Sequence, residues 1–202
     1  RIDDTGESGD PYEDYLAEGS PETLPSVLEN EEETIPINYT SGTTGKPKGV
    51  MYSHRGAYLN SLGELLETRM SSDSVYLWTL PMFHCNGWCF PWAVTAVGGT
   101  HVCLPKVDPV RIWELIDAER VTHFCGAPTV HIGLINCASA HRIEQPASVL
   151  IGGAPPSPTM LAQLTALDFN PIHVDHEFAR SSPFRSRYRS RPWSPAHRRS
   201  RP

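Results

Sequence analysis

At 202 residues, with 39% hydrophobic residues, 19 prolines and 15 glycines, the chain is long enough for a sizeable buried core and reads as globular and loop-rich. Its net charge of −6 is unevenly spread, with −11 over residues 1–34, −1 over residues 35–174 and +6 over residues 175–202, so only the middle block has the balance of an ordinary folded domain. No apolar run approaches the roughly 20 residues that span a bilayer, and five irregularly spaced cysteines exclude a disulfide mini-protein and point to reduced thiols in the cytosol.

Residues 1–34 form an acidic lead-in, in which Glu31-Glu32-Glu33 repel and only Tyr12, Tyr15 and Leu16 suggest a helical turn. Ile35–Tyr39 and Val50–Tyr52 are short apolar runs with a polar loop between them, a strand–loop–strand pattern. Ser53 suits a helix N-cap, and Tyr58, Leu62, Leu65, Leu66 and Met70 then fall at helical spacing as one apolar face. Val75–Leu80 reads as a buried strand stopped by Pro81, Cys89–Val97 as a helix broken at Gly98-Gly99, and Thr100–Leu104 as a strand. Asp108-Pro109 opens a helix whose face is Val110, Trp113, Ile116 and Arg120.

His123–Cys125 is a further strand, followed after Gly126-Ala127-Pro128-Thr129 by a helix to about Asn136. Ser148–Ile151 is a strand closed by Gly152-Gly153-Ala154-Pro155, Ser157-Pro158 starts a helix, and Pro171–Val174 opens a last strand. Such alternation predicts an α/β fold, a mainly parallel sheet with helices on both faces. The loops after Tyr39, Leu80 and Ile151 are expected at the carboxyl ends of its strands, where ligands bind. Residues 175–202 hold eight Arg, six Ser and four Pro but no Lys, Leu, Ile or Gly, and are expected to be a disordered tail. Arg without Lys suggests a shifted reading frame or an appended segment, the rival being an RNA-binding arm.

The loop Thr40-Ser41-Gly42-Thr43-Thr44-Gly45-Lys46-Pro47-Lys48-Gly49 carries the strongest chemistry. Its three glycines allow backbone amides to turn around an anion, four hydroxyls add donors, and two lysines add charge with no acid beside them. It is suited to phosphate, yet it is not the Walker loop, because Pro47 stands where that motif needs its second glycine. Tyr39 to Val50 closely resembles the signature loop of the adenylate-forming (acyl-activating) superfamily. Pro81-Met82-Phe83-His84-Cys85-Asn86-Gly87-Trp88 resembles the second signature of its acyl-CoA synthetases.

That resemblance implies a large adenylate-forming domain over 35–174, with ATP, Mg²⁺ and CoA as co-substrates and a short- to medium-chain carboxylic acid activated as acyl-AMP. It implies phosphate binding by Thr40, Ser41, Gly42, Thr43, Thr44, Gly45, Lys46 and Lys48. His84, Asn86, Gly87, Trp88 and Gly126 would form an acyl gate and pocket, and Gly152, Gly153, Ala154 and Pro155 an adenine and acyl wall. The family's Tyr-Gly-x-Thr-Glu strand end, whose glutamate holds Mg²⁺, has no match after Val174, and its lysine-bearing domain is missing too. Since the chain also opens at Arg1, it is expected to be an inactive piece of a longer cytoplasmic enzyme with no catalytic residue of its own. Alternatives are an inactive binding remnant or an amino-acid adenylation domain. Neither nucleic acid nor an integral membrane segment is expected as a partner. Zinc held by His84, Cys85, Cys89, His101 and Cys103 is disfavoured, because Cys103 lacks the close cysteine partner of a structural site.

Overall fold

The computed structural model describes residues 11–23, 25, 28–40 and 48–173. The 175–202 tail and loop residues 41–47 lie outside the described residues. The lead-in contributes one short exposed helix, α1 (Pro11–Ala17).

Strands β1 (Thr34–Thr40) and β2 (Lys48–Ser53) pair antiparallel as a hairpin, with Asn38 opposite Val50 and Thr40 opposite Lys48. This corrects one expectation, since β1 is not part of the parallel sheet and the loop after Tyr39 is a hairpin connection. Residues 41–47 are too few for a parallel crossover, which takes a dozen or more residues, whereas folding straight back needs only a short loop.

Helix α2 (His54–Thr68) follows at once, capped by Ser53 Oγ accepting from the Gly56 amide at 3.1 Å. Its expected apolar face is largely the wrong one. Tyr58 is 64% and Leu66 73% exposed, and Leu62 is exposed too, whereas Ala57, Ser61, Glu64 and Thr68 are buried. Only Leu65 and Met70 of the expected set join the core. Small residues let α2 approach closely, and the buried hydroxyls are satisfied locally, Ser61 Oγ on Ala57 O at 2.8 Å and Thr68 Oγ1 on Glu64 O at 2.6 Å.

The main sheet is parallel and five-stranded: β3 (Val75–Leu77), β4 (Thr100–Val102), β5 (His123–Gly126), β6 (Ala147–Ile151) and β7 (Phe169–His173), in the order β4-β3-β5-β6-β7. Alternate residues face opposite sides, as the pleat requires. Leu77, Phe124, Val149 and Ile151 meet one apolar cluster, with Ile112, Trp113 and Ile116 of α4 (Pro109–Ala118), Leu134 of α5 (Pro128–Ile135), and Met160 and Leu164 of α6 (Pro158–Ala166). Tyr76, Trp78, Cys125 and Leu150 meet the other, with Phe90, Ala93 and Val94 of α3 (Phe90–Ala96), against which α2 packs. Helices therefore cover both faces. Asp108 and Ser157 cap α4 and α6, each followed by proline. Of the face expected for α4, Val110 points outward and Arg120 lies exposed beyond the helix end, while Ile112 and Leu115 are buried beside Trp113 and Ile116.

Candidate functional site

The strand order makes a switch point. From β3 the chain crosses through α3 to β4 on one side, then returns over β3 through α4 to β5, on the opposite face of the sheet. The crevice at the carboxyl ends of β3 and β5 is the place where such sheets bind ligands. A cavity of about 180 Å³ lies there, lined by Leu80, His84, Trp88, Cys125, Gly126, Ala127, Gly152 and Gly153. Five residues singled out from sequence thus meet in one space: His84, Trp88, Gly126, Gly152 and Gly153.

The wall after Leu80 is a tight helical turn, His84–Cys89. Asn86, Gly87, Trp88 and Cys89 all have positive φ, 45°, 53°, 56° and 64°. Three of these are not glycine, and such a conformation costs about 1–3 kcal/mol per residue unless its surroundings enforce it. They do. Gly87 is buried so close to Trp78 that an added Cβ would stand 2.8 Å from the Trp78 ring. The Trp88 ring lies over Gly152, where an added Cβ would fall 2.6 Å from Trp88 Cζ3. Only glycine at 152 admits that indole. Asn86 is half-buried, and its Oδ1 accepts a hydrogen bond from Asn38 Nδ2 on β1.

The cavity floor is held from beneath. Thr79 Oγ1 donates to Cys125 O at 2.6 Å, and the fully buried His131 donates from Nε2 to Gly126 O at 3.2 Å. Burial keeps the His131 pKa below the ordinary histidine value, so its ring is neutral. The Cys125 thiol is pushed far up by burial and by Glu64 behind it, which leaves it protonated and unfit as a nucleophile. At the rim, α5 begins beside Ala127, bringing the positive end of its dipole toward the cavity.

Ala154 and Pro155 are exposed and lie outside the lining. Ser41, Gly42, Thr43, Thr44, Gly45 and Lys46 lie outside the described residues, while Thr40 and Lys48 end the two hairpin strands opposite one another. His101 has both ring nitrogens engaged, Nδ1 accepting from Trp78 Nε1 at 3.0 Å and Nε2 with Thr95 Oγ1 at 3.1 Å. It serves packing. Sequence reading missed Leu80, Cys125, Asn38, His131 and Glu64. The one available signal was a polar residue within a strand, Asn38, flanked by Ile37 and Tyr39.

A family model described as AMP-binding enzyme matches residues 3–174. The chain is 46% identical over 165 residues to 4-hydroxybutyrate--CoA ligase 2 of Metallosphaera sedula, covering 81% of this chain and 30% of that one. It is 43% identical to the peroxisomal trans-cinnamate:CoA ligase of Petunia hybrida, covering 80% and 29%. Among solved structures, ATP-bound MatB from Rhodopseudomonas palustris superposes with a TM-score of 0.69 at 27% identity, covering 80% of this chain and 33% of that one. The N-terminal domain of FACL13 from Mycobacterium tuberculosis shares the fold, with a TM-score of 0.73 at 22% identity over 80% of this chain and 41% of that domain. The chain spans about 30% of the length of the curated relatives it matches.

Proposed function

Because the chain belongs to the AMP-binding enzyme family, we propose that it contributes the phosphate loop and the acid-binding wall of an ATP-dependent acid–CoA ligase. The supporting observation is the cavity at the switch point, where three separate loops converge on a space of about 180 Å³ walled mainly by apolar side chains and glycine backbone. That volume suits a small carboxylic acid, in line with the 4-hydroxybutyrate and trans-cinnamate named for its relatives.

In the proposed reaction the carboxylate oxygen attacks the α-phosphorus of ATP. The bond between the α- and β-phosphates breaks, pyrophosphate leaves, and acyl-AMP forms. The sulfur of CoA then attacks the acyl carbonyl, its proton is released and AMP departs. Thr40, Ser41, Gly42, Thr43, Thr44, Gly45, Lys46 and Lys48 hold the β- and γ-phosphates by charge-assisted hydrogen bonds. His84, Asn86, Gly87, Trp88 and Gly126 shape the acid pocket, and Gly152, Gly153, Ala154 and Pro155 give a flat approach for adenine. Mg²⁺ enters with ATP, but no carboxylate among the described residues lines the cavity, so no metal ligand is assigned to this stretch.

No helix among the described residues is long and apolar enough to cross a membrane. We place the reaction in the cytoplasm, against peroxisomes for the Petunia relative, and imaging of a fluorescent fusion distinguishes the two. The function is tested by placing residues 35–173 into the Metallosphaera sedula ligase in place of its matching segment. The chimera should release pyrophosphate from ATP only when a small acid is present. A folded chimera with no acid-dependent release refutes the proposal.

A further inference from the structure

We propose that Asn38 is a positioning residue, and that its hydrogen bond to Asn86 locks the stem of the phosphate loop to the wall of the acid cavity, so that a ligand on one is felt at the other. The hairpin needs such a lock. Ile37, Tyr39 and Met51 are 55%, 75% and 67% exposed, so burial does little to fix its angle, and a two-stranded ribbon alone is marginal in water. At its base it is tied by the chain itself and by the amides of His54 and Arg55, which donate to Glu33 O at 3.0 Å and Glu31 O at 2.8 Å. The Arg55–Glu31 ion pair there, at 2.6 Å, joins side chains 50% and 60% exposed and adds little.

The Asn38–Asn86 bond lies toward the other end. Asn38 is two residues from Thr40, hence about 7 Å from where the loop begins. It bridges 48 residues of sequence and is partly buried. On the far side Asn86 opens the run of four left-handed residues, Gly87 is wedged against Trp78, and Trp88 lies over Gly152. One continuous set of contacts thus leads from the loop stem to the cavity wall. Asparagine suits position 86 twice over, since it tolerates a left-handed backbone better than other side chains and still offers an amide oxygen. For the proposed reaction, on which only the ligand arm below rests, this bond sets the spacing between bound phosphate and bound acid. Misplacement by about 1 Å there costs on the order of a hundredfold in rate.

Hydrogen exchange of the 202-residue chain, followed by mass spectrometry, tests the lock directly. Without ligand, Asn38→Leu and Asn38→Asp should each speed exchange of residues 86–90 about fivefold, the loss of one partly buried hydrogen bond. Asn86→Asp keeps the accepting oxygen and should not. The Asn38→Leu/Asn86→Leu pair should exchange no faster than Asn86→Leu alone, because the second substitution then removes a bond already lost. Inorganic pyrophosphate should then protect residues 40–49 in every variant, but residues 86–90 only in the wild type and Asn86→Asp. Unchanged exchange at 86–90 in Asn38→Leu, or additive effects in the double variant, overturns the lock. If pyrophosphate protects nothing, the phosphate-binding reading fails instead, and the ligand-free comparison still decides the lock.

Discussion

Glu64 offers the sharpest test of how this core is built. It lies on the inward side of α2 at 2% exposure, and its Oε2 meets no hydrogen-bond partner among the described residues. Burial, aided by the neighbouring Glu67, raises its pKa from the ordinary 4.5 to about 8. Tyr76, Cys89 and Cys125 feel its charge, and burial pushes each of them up as well. The folded chain therefore keeps a proton that the unfolded chain releases between pH 4.5 and about 8. Stability must fall as pH rises through that window, and change little from this source below or above it. Each pH unit is worth about 1.4 kcal/mol, so on the order of 3 kcal/mol is lost by pH 7. Glu64→Gln, which cannot ionise, should recover about that much at pH 7 and almost nothing at pH 4, raising Tm at neutral pH by about 6–12 °C. Glu64→Met, with no polar atom to leave unpaired, should follow the same pH trend. Urea unfolding followed by tryptophan fluorescence from pH 4.5 to 8.5 measures the effect. A wild-type stability flat across that range, with the variants shifted equally at every pH, refutes the reasoning.

Three further outcomes are expected. Lys48→Ala in the chimera should weaken ATP use by roughly ten- to a hundredfold, the loss of one charged hydrogen bond to phosphate, and unchanged ATP kinetics would remove Lys48 from the site. Gly152→Ala places a methyl group in the Trp88 ring, which should cost about 1–3 kcal/mol and shift the Trp88 emission; a thermal melt superimposable on the wild type contradicts that contact. His84→Ala should change the order of preference among acids from acetate to decanoate. A uniform loss across the series would argue that His84 does not wall the pocket.

Much of the fold was legible because local signals agreed with one another. Asp108-Pro109 and Ser157-Pro158 announced helix starts, the apolar runs at 123–125 and 148–151 became β5 and β6, and the run at 75–80 became β3 over its first three residues. The loops that follow those strands converge because parallel strands present their carboxyl ends together, so fold class alone brought His84, Trp88, Gly126, Gly152 and Gly153 near one another. What stayed hidden depended on pairings distant in sequence. Nothing local says that Asn38 meets Asn86, that the hairpin stands apart from the sheet, or that Trp88 needs glycine at 152.

Helix α2 shows the physical limit most plainly. Its periodicity identified a stripe of Tyr58, Leu62 and Leu66, and the inference that a stripe faces the core is sound when a helix has one apolar face and one neighbour. Here the side toward α3 and the sheet is built from Ala57, Ser61, Glu64 and Thr68. A small residue buries little area itself but lets backbones approach, so larger groups such as Phe90 and Tyr76 fill the interface from the other side. Hydropathy scores residues singly and cannot record that the partner supplies the volume. Nor can it record that a buried carboxyl is tolerated by holding its proton, the property that makes Glu64 both invisible to pattern reading and measurable by titration.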